Sequence, residues 1–471
     1  MKIIGSHLFA IIGFLLAILL IARLMREKRS PGSTIAWLLA IIMIPQIGIP
    51  FYFLFGGRKI KRMIEKKDNL YPDKTNDHPE KEGYKSNTEK ILIRSGAPPA
   101  SKGNQIELLS EGGLAYSRLM ELLENAEHSI DITTFILGHD KVGRAIIETL
   151  TKKAKQGLKI RLILDSLGCL RTRGRFVDPL REAGGKVGIF MPMLPFHRKW
   201  SAHLRNHRKI IIVDQDFAIV GGMNLAIIYM GSDSDKSRWN DFGVLVKGPL
   251  VSDICQIFDA DWDFATGGKY KMDKQSANSF IPYQKKEDGI SVQVVASGPD
   301  VPTDSFSEAI LTAILEAKKR VWIITPYFIP DEPLLKSLSL LARWGKDICI
   351  ITPKRSNHLL ADLARGSYLR TLAEAGVNVF YFYAGMLHSK IILIDNSIAI
   401  VGSANMDMRS FYLNYEIALF IYSTAQAYAI EKIIVEEILP KSQVMRHGQP
   451  SLKRGVREWM EDISRVFSPF L

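Results

Sequence analysis

Two stretches carry side chains suited to phosphoester chemistry. The first reads His207-Arg208-Lys209, then an apolar run to Val213, then Asp214, and after six further residues Gly221-Gly222-Met223-Asn224. The second reads His388-Ser389-Lys390, an apolar run to Ile394, Asp395, and after six further residues Gly402-Ser403-Ala404-Asn405. The His, Lys, Asp and Asn of the two stretches are all 181 positions apart. One His-x-Lys would ordinarily be a surface strand. Two complete copies at one offset point instead to a duplicated site.

The spacing suggests how such a site works. Side chains alternate along a strand, so His and Lys of each copy share a face, and the following β-branched run can be buried to hold them. One neutral imidazole can attack phosphorus while a second, protonated, donates to the leaving alcohol. Lys209 and Lys390, with the amides of Asn224 and Asn405, can stabilise the anionic oxygens without a metal or other cofactor. His207 is taken as the nucleophile and His388 as the acid and base. A zinc site using His203 and His207, four apart as on a helix, is disfavoured because a strand-like run follows and no third ligand emerges. The aspartates could also be structural, orienting the loop after each strand.

The elements that would position these groups repeat as well. The stretch from Leu122, LLENAEHSIDITTFILG, resembles the one from Ile314, ILEAKKRVWIITPYFIP. Each reads as a helix end followed by an apolar strand. Strands alternating with helices, present twice, imply an α/β architecture of two halves related by a pseudo-two-fold axis. The expected boundaries are 102–265 and 291–471, with 266–290 as linker.

Ahead of the halves, residues 3–22 and 30–57 are nearly free of charge and read as two membrane-spanning segments, the second kinked by Pro45 and Pro50. A cleaved signal peptide is disfavoured, since no small-residue cleavage site follows the first run and a second run does. Residues 1–62 are therefore expected to form a membrane anchor and 63–101 a polar tether. The heavier basic flank, beginning at Arg58, puts the bulk of the chain on the cytoplasmic side. The chain has 471 residues and a formal net charge of +13. Such a charge suits an anionic partner, whether nucleic acid, membrane surface or phosphate ester. Two membrane segments and few interleaved basic and aromatic residues argue against nucleic acid. Cys169, Cys255 and Cys349 are widely spaced and read as reduced thiols. Between the first repeat and its motif, Phe190, Met191, Met193, Leu194, Phe196 and Trp200 lie among basic residues and read either as a loop packed on the protein core or as a membrane-docking loop.

At these residues the chain resembles the phospholipase D superfamily, named for its paired HKD motifs, and within it the bacterial cardiolipin synthases. The resemblance extends through AWLLAIIMIPQIGIPFYFLFGGR, RNHRKIIIVD, ITPYFIPDEPLL, LHSKIILID, GSANMDMRSFYLNYE and the final SPFL. It implies two α/β/α halves, an enzyme of the inner membrane, and transfer of a phosphatidyl group between two phosphatidylglycerol molecules to give cardiolipin and glycerol. It also implies an active-site set of His207, Lys209, Asp214, His388, Lys390 and Asp395, with Asn224 and Asn405 at the phosphate. Glu416 follows the second motif where the superfamily sets a carboxylate behind the catalytic histidine, and Asp241 is its counterpart after the first. The sequence LAIIYMG after Asn224, and Asn357 where an Asp is common, depart from the pattern and bear on the choice of acceptor. A phospholipase D using water, or a transferase with another acceptor, is the alternative.

Overall fold

The structure is a computed structural model. It describes residues 18–22, 31–45, 48–49, 52, 67, 69–71, 86–191, 204–268, 289–301, 303–445, 452–466 and 468. The chain divides into a small N-terminal unit and a large unit that begins at Lys66. In the small unit a helix spans Pro31–Met43, and Leu20, Ile41 and Tyr52 form a buried cluster with Trp37 edge-on to Tyr52. Among the described residues no helix is long and apolar enough to cross a membrane. Much of the expected anchor lies outside the described residues.

The large unit is organised by a single sheet whose two ends repeat one another. The first half supplies β1 (Ser101–Leu109), β2 (Ser129–Thr134), β3 (Lys159–Asp165), β4 (Lys186–Phe190), β5 (Ile210–Val213), β6 (Phe217–Gly221) and β7 (Gly243–Lys247). The second supplies β8 (Ile290–Ser297), β9 (Arg320–Ile324), the short β10 (Phe328–Ile329), β11 (Asp347–Pro353), β12 (Asn378–Phe382), β13 (Ile391–Ile394), β14 (Ile398–Gly402), β15 (Met406–Asp407), β16 (Glu416–Tyr422) and β17 (Ser442–Val444). From the middle outward the first half runs β1-β7-β6-β5-β2-β3-β4 and the second β8-β16-β14-β13-β9-β11-β12-β17. Equivalent strands occupy equivalent places. The halves join where β1 and β8 pair antiparallel, making one fifteen-stranded sheet.

The motif strands sit inside this sheet. β5 lies between β2 and β6, and β13 between β9 and β14, all antiparallel. All four residues of each are buried, which explains the unbroken Ile-rich runs. In β5 the alternation divides them between two cores: Ile210 and Ile212 join one cluster, Ile211 and Val213 the other. Helix Leu250–Thr266 packs into the first cluster through Phe258 and Trp262. Helices Gly112–Asn125 and Lys141–Lys155 pack into the second through Leu119, Leu123 and Ile146. A β strand sandwiched in this way can fix the residues just before it to the precision that catalysis requires.

Two expectations change here. Within the segment expected to be a polar tether, Tyr71 is buried and its hydroxyl accepts from the Ala296 amide at 3.1 Å, while helix Asn87–Arg94 packs beside helix Ser305–Leu315. Of the expected docking loop, Phe190 and Met191 are buried in the main core, with Phe190 edge-on to Tyr415, and so cannot enter a membrane. Its remaining residues lie outside the described ones. All three cysteines are free and buried.

Candidate active site

Both histidines lie on extended segments that lead into their strands, and each segment is clamped by the opposite half. The His207 amide donates to the Tyr415 carbonyl at 2.9 Å, and the Tyr415 amide returns a bond to the Arg205 carbonyl at 2.9 Å. The His388 amide donates to the Asn240 carbonyl at 2.6 Å, and the Asn240 amide to the Met386 carbonyl at 2.8 Å. Tyr415 and Asn240 directly precede Glu416 and Asp241. The result is an exchange of carboxylates. His207 Nδ1 meets Glu416 Oε2 at 2.9 Å, and His388 Nδ1 meets Asp241 Oδ2 at 2.6 Å. Each imidazole is thus oriented by the carboxylate that follows the other motif. With Nδ1–H engaged, Nε2 carries the free lone pair, the tautomer a nucleophile or base needs.

The two pairs are not equivalent, and the difference follows from one residue in each repeat. Ser403 Oγ donates to Glu416 Oε2, and the Ile417 amide donates to Ser403 Oγ. At the matching position in the first half stands Gly222, where a Cβ would come within 2.2 Å of Asp241 Oδ1. The shorter carboxylate is held by the Phe242 amide at 2.8 Å instead. Around His207 the Phe135 ring packs edge-on at 5.1 Å, and around His388 lie Tyr229 at 5.2 Å and Trp239 at 5.3 Å.

Lys209 and Lys390 are buried beside their histidines. Lys209 Nζ donates to the His207 carbonyl at 2.8 Å. Lys390 Nζ donates to the His388 carbonyl and lies 2.9 Å from His388 Nδ1. Burial pushes Lys209 down to about 7 against the pull of Glu416, with the Lys390 charge adding to the effect. Burial likewise brings Lys390 down to about 8 despite Asp241 and Glu416. Burial lowers His207 too, Glu416 opposing it, and takes His388 down to about 3 with the help of Lys390. For Glu416, burial would raise the carboxyl, but His207, Lys209 and Ser403 outweigh it and hold it below the usual range. Each lysine acts electrostatically on the opposite half's histidine, so the four groups converge on one site. Its two lysines are desolvated and set beside the two carboxylates that orient the histidines, an arrangement suited to binding a phosphodiester.

Asn224 adjoins this cluster. Asn224 Oδ1 accepts from the Ile136 amide at 3.1 Å, and its side chain bonds the Tyr229 phenol that packs on His388. Asn405 is buried with its Oδ1 unpaired, which is uncommon for an interior amide.

Asp214 and Asp395 are placed elsewhere, and the catalytic role suggested by motif membership is corrected. Each occupies the hairpin turn beyond its strand with φ of 51°, a left-handed conformation that Asp tolerates. Asp214 accepts from the amides of Glu127, His128 and Ser129 at 2.7–2.9 Å, and Asp395 from those of Lys318, Lys319 and Arg320 at 2.7–3.0 Å. Burial works to raise Asp395, but these amides prevail and keep it low. Each lies seven positions beyond its histidine, across the four residues of the motif strand, roughly 20 Å at about 3.3 Å per residue. Both aspartates tie the motif strand to the start of its neighbour.

Arg208 carries the largest structural role not foreseen. Facing away from the site, it is fully buried. It bonds Asp261 at 2.7 Å, Asp300 at 3.3 Å, the Ser297 carbonyl at 3.0 Å and, through Nε, the Glu416 carbonyl at 3.1 Å. Lys67 completes the cluster, with Asp261 at 2.5 Å and Asp300 at 2.7 Å. Arg208 therefore couples the first motif to the backbone of the carboxylate that orients His207. Among the described residues no three His, Cys, Asp or Glu side chains are grouped to hold a metal.

A doubled α/β sheet presenting two His-x-Lys pairs to one anion-seeking site defines a phosphodiester-transferring enzyme of the phospholipase D superfamily. The family model described as "Cardiolipin synthase, PLD-like domain" matches residues 119–262 and 310–438, and one described as "Phospholipase D-nuclease N-terminal" matches 15–57. Cardiolipin synthase 1 of Bacillus cereus is 32% identical over 94% of this chain and 90% of its own length. The cardiolipin synthase of Alkalihalophilus pseudofirmus is 33% identical with the same coverage. In fold, the chain is similar to phosphatidylserine synthase of Haemophilus influenzae, with a TM-score of 0.61 at 16% identity over 82% of this chain and 98% of that one. The chain belongs to the bacterial cardiolipin synthase family, and it is a phosphatidyltransferase.

Proposed function

We propose that this enzyme makes cardiolipin from two molecules of phosphatidylglycerol by two in-line displacements at one phosphorus. In the first, Nε2 of His207 attacks the phosphodiester, an N–P bond forms, and the bond to the headgroup glycerol breaks as His388 delivers a proton to the departing oxygen. In the second, His388 removes the proton from a hydroxyl of the next phosphatidylglycerol. That oxygen attacks phosphorus, and the N–P bond breaks to restore His207. His207 suits attack because its side chain is the more exposed of the two, 13% against 6%. Burial and Lys390 hold His388 neutral, so its proton is gained when a bound phosphate offsets the charge of Lys390. Lys209 and Lys390 neutralise the charge gathering on the equatorial oxygens. Asn405, with its unpaired Oδ1, is the readier of the two amides to turn toward the bound group.

The observation that carries this reading is the exchange of carboxylates. Each histidine is complete only when both halves are present, so the site is built to use two imidazoles in sequence. Membership of the family points to cardiolipin as product. The apolar runs at residues 3–22 and 30–57 support a multi-pass anchor in the bacterial inner membrane, and the basic flank after the second supports a cytoplasmic catalytic unit. The test is purified full-length enzyme supplied with phosphatidylglycerol alone and assayed by mass spectrometry. Cardiolipin and glycerol in equal amounts are expected. Phosphatidic acid as the main product would establish the hydrolytic alternative.

A further inference from the structure

The helix Leu452–Val466 is oriented against the usual rule. Among its described side chains, those packed against the body are polar. Glu461, Ser464 and, just beyond the helix, Ser468 are buried, whereas Val456, Trp459, Met460, Ile463 and Val466 are 41% to 72% exposed. At about 100° per residue the five apolar positions fall on one arc of roughly 120°, and the packed positions lie on a separate arc. Helix Leu359–Glu374 receives the polar face. Arg370 bonds both Glu461 and Asp462, the latter at 2.6 Å; Tyr368 bonds Ser468 at 3.0 Å; and the Arg465 guanidinium lies 4.5 Å over the Tyr368 ring. Gly366 stands under the Glu461 carboxylate, where a Cβ would meet it at 2.3 Å. Ion pairs and a close approach therefore fix the helix with its apolar face outward. A soluble surface helix does the reverse.

We infer that this outward face is a second membrane contact of the enzyme, lying in the interface of an anionic phospholipid bilayer. Charge favours that occupant. The helix sequence holds four basic residues, Lys453, Arg454, Arg457 and Arg465, against Glu458, Glu461 and Asp462; Glu461 is paired with both Arg370 and Arg457, and Asp462 with Arg370, which leaves a positive surplus. An amphipathic helix with a surplus of basic residues and a Trp on its apolar face has the composition of an interfacial helix. Size disfavours a second copy of the chain as occupant. Stable protein interfaces bury about 800 Å² per partner with roughly 20–30 residues a side, well beyond five side chains of one helix. The inference rests on phospholipid as substrate, since such an enzyme must hold its cleft against a lipid surface. A contact distant in sequence from the N-terminal anchor would fix the orientation of the catalytic unit over that surface.

The experiment uses the full chain in phosphatidylglycerol–phosphatidylcholine vesicles. An environment-sensitive fluorophore is placed by Ile463→Cys on the apolar arc, or by Glu458→Cys on the polar arc. The native thiols are buried, so labelling falls on the introduced residue. Vesicles containing a nitroxide-labelled phospholipid report lipid contact. The expected result is a blue-shifted Ile463→Cys probe quenched several-fold more than the Glu458→Cys probe, with quenching that falls when phosphatidylcholine replaces phosphatidylglycerol. Val456→Cys should repeat the result and replaces Ile463→Cys if that variant fails to fold. Equal, weak quenching at both arcs would overturn the inference. So would a blue shift insensitive to the lipid quencher, which would reveal a protein partner, or quenching unchanged in pure phosphatidylcholine. Depth rather than turnover is read, so failure of this contact and failure of cardiolipin synthesis are separate outcomes.

Discussion

Replacing Gly222 by Ala isolates the carboxylate that holds His388. Gly222 is not among the glycines at positive φ, so the backbone accepts Ala without strain. The added Cβ would stand 2.2 Å from Asp241 Oδ1 and 3.0 Å from its Cγ. Restoring an ordinary contact requires the carboxylate to retreat by about 1 Å, which stretches the 2.6 Å bond to His388 Nδ1 beyond hydrogen-bond range. A displacement of that size at a catalytic group costs on the order of 100-fold, equivalent to about 2.7 kcal/mol of activation free energy. The assay is the initial rate of glycerol release from phosphatidylglycerol vesicles, with thermal unfolding followed in parallel. We expect kcat to fall about 100-fold while KM and the melting temperature stay near wild type. Ser403→Ala, which removes the donor to Glu416 without adding bulk, should cost only about tenfold. A Gly222→Ala enzyme with wild-type kcat would refute the claim that Asp241 positions His388.

Asp214→Ala should lower the melting temperature by a few degrees, as three strand-end amides lose their acceptor at about 2 kcal/mol in total, and should leave kcat within about tenfold; a loss as deep as that of a histidine variant would return Asp214 to the chemistry. Arg208→Met leaves Asp261 and Asp300 with Lys67 as their remaining cation in the cluster, and should destabilise the fold by about 3–5 kcal/mol in denaturant titration. With Lys209 at about 7 and Lys390 at about 8, kcat/KM should be highest where both are charged. Because burial depresses both, the charge is present at low pH and lost as pH rises, so kcat/KM should fall about tenfold per pH unit between about 7 and 8, and about a hundredfold per unit above 8, where both protons are lost. A profile flat from pH 7 to 10 would show that the lysines do not serve as charged groups.

Much of this arrangement can be read from local pattern. The offset shared by His207 and His388 reports the duplication, and the buried Ile runs report strands, because period-two alternation is a property of the backbone. What could not be read depends on how the halves meet. That Glu416 serves His207 and Asp241 serves His388 follows from backbone bonds of Tyr415 and Asn240 across the two halves, which no spacing within one repeat encodes. Arg208 looked like filler between His and Lys because it points to the opposite face, into a cluster completed by residues as distant as Lys67 and Asp300. The contrast between Gly222 and Ser403 was visible in the aligned repeats, yet it acquires meaning only beside carboxylates of different length. For Asp214 and Asp395 the sequence left a catalytic and a structural reading open, because a residue that recurs with the motif can serve the strand's turn as well as the reaction. Phe190 and Met191 looked like lipid-facing residues because apolar composition does not distinguish core from membrane.

The central claim is that two imidazoles, each completed by the opposite half, act in turn on one phosphorus. It is tested most directly by acid-quenching the enzyme during turnover of phosphatidylglycerol labelled in its phosphate, then mapping the label by mass spectrometry. The account predicts a phosphoramidate on His207, absent from His207→Ala and slow to form in His388→Ala, with both variants reduced in cardiolipin synthesis by several orders of magnitude. A label on neither histidine, or full synthesis by either variant, would contradict it.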